Sequence, residues 1–168
     1  GGNNNTSGGN NNTSGGNNTS GGGGSTVTLG SKIATITMKN PGTTGTKVTD
    51  DKYTWTSGSC TVTVETGNNS SADQKVSDSV GKAGSNEARI YMGYSVTLSC
   101  TSNFSGFSVE TTTFSNSAYV WDDPHLDGAT VEFDGNVTTK VALESPTTSF
   151  NFINSYKQFR VTSISFYA

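Results

Sequence analysis

Apolar and polar residues alternate with a period of two along most of this chain. Between Tyr94 and Cys100, Val96, Leu98 and Cys100 fall on one face and Ser95, Thr97 and Ser99 on the other. That alternation marks a half-buried antiparallel strand. Val62 and Val64 repeat it, as do Val131 and Phe133. Further strands are predicted at Val27–Leu29, Lys32–Lys39, Glu87–Met92, Phe107–Glu110, Tyr119–Trp121, Thr130–Phe133, Val137–Leu143, Thr148–Ile153 and Gln158–Tyr167. Ile33 and Ile36 stand three apart, and Phe159 and Val161 are out of phase with Ile164 and Phe166, so a β-bulge is expected in each of these strands. Turns are expected at Asn40-Pro41-Gly42, Asp134-Gly135-Asn136 and Ser145-Pro146. Thr66–Glu87 is a polar insertion whose valines, Val76 and Val80, would allow a short helical turn; it reads as a loop. Roughly ten or eleven short strands with turns every 8–12 residues predict an all-β fold, an antiparallel β-sandwich or jelly roll. The final strand is apolar enough to belong inside the sheet, because an exposed apolar edge invites aggregation.

Two stretches share one design. Tyr53-Thr-Trp55 and Tyr119-Val-Trp121 each precede a glycine-containing turn and an alternating strand. Residues two apart on a strand share a face, so each Tyr–Trp pair points one way. The second copy carries a longer, acidic turn with Asp122, Asp123, His125 and Asp127. An aromatic ring attracts the slightly positive C–H face of a sugar through its negative π-face. Trp121, Tyr119, His125, Trp55, Tyr53, Asp122 and Asp123 are therefore the candidate ligand-binding residues, with Tyr91, Tyr94 and Tyr156 as lesser ones. A shared position equally fits shared packing, in which case the tryptophans are core. Asp122, Asp123 and Asp127 offer oxygen ligands to a structural Ca²⁺, the one cofactor the sequence raises, although aspartate before proline or glycine is ordinary turn chemistry. Cys60 and Cys100 both fall on predicted strands and read either as a disulfide or as two small buried thiols. No motif supports pairing a cysteine with His125 as a nucleophile, and no carboxylate pair stands out, so no enzyme is expected.

The first 25 residues comprise 10 Gly, 8 Asn, 4 Ser and 3 Thr in a decaying GGNNNTS repeat. With no apolar side chain to bury, residues 1–25 are expected to be a disordered linker, leaving residues 26–168 as one β-sandwich module. The net charge of −3 and pI near 5.0 supply no basic stripe for nucleic acid or an anionic membrane surface. No apolar run approaches the roughly 20 residues of a spanning helix. The chain lacks an initiating Met and a signal peptide, as expected of a piece of a longer secreted or cell-surface protein.

The segments Arg89-Ile-Tyr91-Met-Gly-Tyr-Ser-Val-Thr-Leu-Ser, Trp121–Phe133 and Phe159-Arg-Val-Thr-Ser-Ile-Ser-Phe166 resemble β-sandwich accessory modules of secreted glycan-degrading or starch-adherence proteins of anaerobic gut bacteria. The likeness spans most of Lys32 to Tyr167, and such modules are often joined to their neighbours by Gly/Asn/Ser/Thr-rich linkers. It implies a non-catalytic carbohydrate-binding module for a plant polysaccharide, a starch-like α-glucan first, tethered to other modules. The acidic turn departs from the shorter Trp–Gly turn of that pattern. The competing expectation is a structural or adhesive surface domain that contacts protein.

Overall fold

The computed structural model describes residues 26–66, 86–112 and 119–168. The expected linker at 1–25 and most of the 66–87 insertion lie outside the described residues. What is described is all-β apart from one helical turn, α1 (Pro41–Thr44). Nine strands follow in order: β1 (Lys32–Thr37), β2 (Thr46–Thr49), β3 (Lys52–Ser57), β4 (Cys60–Glu65), β5 (Ala88–Ile90), β6 (Ser95–Thr111), β7 (Ala129–Phe133), β8 (Thr138–Ile153) and β9 (Phe159–Tyr167). They form one antiparallel sheet in the order β1-β9-β6-β4-β3-β2, with β8 on the other flank of β6, β7 on β8 and β5 on β9.

The sheet curls because β6 and β8 are long and bent. Ser95–Ser99 of β6 lies between β4 and Ser149–Ile153 of β8. Past register shifts at Phe104 and Gly106, the rest of β6 lies between β9 and the first half of β8. A bulge of this kind turns a strand without ending it. Gly106 sits at the bend because a Cβ there would stand 2.6 Å from the Val141 carbonyl oxygen. Curling brings β1 over β3 and β4, and the inward residues of all these strands close a single core.

The period of two decides that core. Cys60, Val62 and Val64 of β4 are buried, as are Val96, Leu98 and Cys100 of β6. Cys60 and Cys100 face each other in register and form a disulfide, Cα–Cα 4.1 Å. Both expected bulges are present, at Lys32/Ala34 in β1 and opposite Glu110/Thr111 in β9. As expected, β9 is an interior strand, flanked by β1 and β5 on one side and β6 on the other.

Four expectations about elements change. Val27–Leu29 forms no strand; Val27 is buried and its N–H donates to the Glu132 carboxylate. Tyr119–Trp121 is irregular, because the Trp121 carbonyl accepts from the Thr139 hydroxyl rather than from a strand partner. Ser145-Pro146 does not split β8: those residues fall between its two stretches of pairing with β6, where proline's missing N–H is not needed. Phe107–Glu110 is continuous with the strand from Ser95, for the reason given above.

Candidate functional site

A groove runs between the Trp121–Leu126 segment and the β8–β9 connection, Asn154–Gln158. It continues along the edge of β8 past Phe150 and Asn151. Its floor is aromatic. The Trp121 indole stacks on Phe152 and on Phe159, each at 5.1 Å between ring centroids, and on Phe107 at 6.4 Å. These rings come from β6, β8 and β9, so the curl of the sheet builds the stack.

One wall is held rigidly by Asn154. Its side-chain amide donates to the carbonyls of Ile90 (3.2 Å) and Lys157 (3.0 Å), and its Oδ1 accepts from the Tyr156 N–H at 3.3 Å. Its backbone N–H donates to Tyr94, and its carbonyl accepts from Gly93. With all these bonds made, Asn154 is only 4% exposed and ties the connection to the β5–β6 turn. Residues on either side of it are thrown outward: Ile153 is 51% exposed and Tyr156 59% exposed.

The other wall is polar. Asp122 meets Lys157 Nζ with both carboxylate oxygens, at 3.1 and 3.2 Å, clamping the two walls together. His125 Nε2 lies 3.4 Å from Asp123 Oδ2, both side chains being well exposed. Exposed pairs of this kind contribute at most about 1 kcal/mol each. Their value is positional, since they set alternating donors and acceptors beside an uncovered ring.

The structure sorts the residues expected at this site. His125, Asp122 and Asp123 line the groove. Trp121 lies beneath it at 6% exposure, so it is a floor held from behind and not a bare shelf. Trp55 and Tyr53 are corrected to core residues, 1% and 5% exposed, their rings 4.9 Å apart. Both point inward on β3 because their strand parity matches Val62 and Val64 across the ladder. They press on Gly45, where an added Cβ would fall 2.3 Å from the Tyr53 ring. Tyr119 is half-buried, with the Arg160 guanidinium lying 3.6 Å over its ring. Asp122 and Asp123 are turned to Lys157 and His125, and no three His, Cys, Asp or Glu side chains converge among the described residues. The disulfide removes either cysteine as a partner for His125.

Lys157, Ile153 and Phe152 enter the site without having been singled out in sequence. The one local signal was Tyr156, an aromatic residue set among polar ones between two apolar strands. Comparison with known proteins found no matching family model, no matching curated protein and no matching solved structure.

Proposed function

We propose that the chain is a non-catalytic carbohydrate-binding module whose ligand, a plant polysaccharide, rests on Tyr156 in the groove between Asn154–Lys157 and Asp122–Leu126. The observation that carries this is Tyr156, a residue 59% exposed on a loop locked by Asn154, with Asp122, Asp123, His125 and Lys157 lining the same groove. A preorganised aromatic face with a few polar groups binds without a large ordering cost. The two limbs of the curled sheet act as the layers of a sandwich, with the groove at one pole. The Gly/Asn/Ser/Thr repeat enters the module just before Val27, whose N–H donates to the Glu132 carboxylate of β7, and a flexible tether at that point lets the groove search a surface. The disulfide suits a secreted or cell-surface setting.

The test is retention of the full chain on insoluble starch, cellulose and xylan, with starch tried first as the α-glucan case. Tyr156→Ala is expected to weaken retention on the bound polymer at least about tenfold, the weight of one lost stacking contact with its desolvated surroundings. Absence of the wild-type chain from every pellet would reject the proposal.

A second reading, a structural or adhesive domain, draws on apolar side chains near the groove. Met92 is 60% exposed on the β5–β6 turn that Asn154 binds, near Ile153 and Tyr156. Light scattering after size exclusion that found stable oligomers, with no retention on any polysaccharide, would favour it.

A further inference from the structure

On the outward face of the β5–β9 pair, the chain gathers hydrogen-bond donors that it does not itself satisfy. Arg89 and Arg160 stand directly opposite each other in the ladder. Their neighbours Ala88, Ile90, Phe159 and Val161 are buried. By the two-residue period, Arg89, Arg160 and Gln158 therefore leave the sheet together on its other face. Like charges placed opposite one another on a strand pair repel. Arg160 is compensated, with its Nη1 at 3.3 Å from Glu87 Oε1 and its guanidinium over the Tyr119 ring. Arg89 makes no ion pair or side-chain hydrogen bond among the described residues. Arg89 Nε, Arg160 Nε and Gln158 Nε2 are all buried without an acceptor.

Every unsatisfied atom in this set is a donor, and of the two guanidinium groups standing opposite each other only that of Arg160 meets a carboxylate, Glu87, among the described residues. The complement of such a set is an acceptor-only group with negative charge, and arginine binds planar or tetrahedral oxyanions with paired N–H groups. The set neighbours the groove along the chain: Gln158 follows Lys157, and Tyr119, whose ring carries Arg160, precedes Val120 of the groove lining. We propose that Arg89, Arg160 and Gln158 form an oxyanion site that takes an acidic substituent of the glycan, a uronic acid carboxylate or a sulfate ester. This rests on the glycan-binding reading and adds a charged group to its ligand class.

The full chain is titrated with sodium glucuronate, glucose 6-sulfate and glucose while the arginine Nε–H resonances are followed by NMR. The expected result is saturable movement of the Arg89 and Arg160 signals with one or both anions and none with glucose. The anion that acts identifies the substituent. Arg89→Gln should weaken that binding at least about tenfold, the usual consequence of removing a charged hydrogen-bond partner. Arg89→Lys keeps the charge but loses the fork and should weaken it several-fold, which serves if the glutamine variant does not fold. Silence to both anions, or affinity unchanged in the arginine variants, overturns the oxyanion site. If the chain is still retained on neutral polysaccharide through Tyr156, the groove reading survives that failure. Binding of anions through Arg89 with no retention on any polysaccharide would leave this site standing and sink the groove.

Discussion

Replacing Trp121 with alanine separates a core indole from a ligand surface. An indole of this kind buries about 150–250 Å², and Trp121 keeps only 6% of its exposure. At about 25 cal/mol per Å² the burial corresponds to about 4–6 kcal/mol, an upper bound because the unfolded chain is partly collapsed. Trp→Ala substitutions in cores typically cost about 3–5 kcal/mol. Stacking on Phe152, Phe159 and Phe107 places Trp121 in that range, since the cavity would open among three rings. The expected loss is about 4 kcal/mol. Urea unfolding followed by fluorescence of Trp55 reads it as a midpoint lowered by about 2 M, taking a slope near 2 kcal/mol/M. Tyr156→Ala in the same assay should cost under about 0.5 kcal/mol, as an exposed position does. A Trp121→Ala protein within about 1 kcal/mol of wild type that has nonetheless lost glycan retention would refute this account. It would make the indole a ligand surface after all.

Two further outcomes follow from the hydrogen-bond and disulfide geometry. Cys60 and Cys100 close a loop with a sequence separation of 40, so the Cys60→Ala/Cys100→Ala protein should lose roughly 4 kcal/mol in equilibrium denaturation, the chain-entropy value for such a loop. Asp134, between β7 and β8, accepts from the N–H groups of Asn136 (2.7 Å) and Thr138 (3.0 Å) through Oδ1. Slight burial pushes its pKa up, but these backbone donors outweigh that and hold it below the ordinary 3.8. A carboxylate whose folded pKa is depressed contributes stability above its unfolded value and loses it as pH falls through the folded one. The side chain is largely exposed and screened by solvent, so Asp134→Ala should cost at most about 0.3–1 kcal/mol at neutral pH, and the charge-dependent part of the difference should shrink as pH falls from 3.8 through the lower folded value. Persistence of the full difference in strong acid would rule out the ionised form as the source.

The groove also shows how polar and apolar roles are divided in a small β-protein. Its aromatic floor is structural, and its exposed ring is carried on a loop fixed by one buried amide. Asn154 holds that loop by bonding to the Ile90, Tyr94 and Gly93 backbones, so the geometry at Tyr156 depends on β5 and the β5–β6 turn. Loops on such a scaffold vary easily in sequence while the core beneath stays constant.

Most of the strands, their inward faces and the two bulges were legible in the chain itself, because a period of two commits each side chain to one face from local sequence alone, whereas the polar Thr46–Thr49 read as loop and forms β2. The β4–β6 alternation that buries Val62, Val64, Val96 and Leu98 is of this kind. What local pattern could not supply was which aromatic residues met water. Tyr53-Thr-Trp55 and Tyr119-Val-Trp121 look alike in one dimension, yet the first is sealed under Gly45 and the second lies beneath a groove. Exposure is decided by what the curled sheet brings over a residue from far along the chain, as Phe152 and Phe159 are brought to Trp121. The pairing of Lys157 with Asp122, and of Arg89 with Arg160, likewise exists only once distant strands are in register. Periodicity is a property of neighbours, whereas a site is made by segments that meet only when the sheet closes.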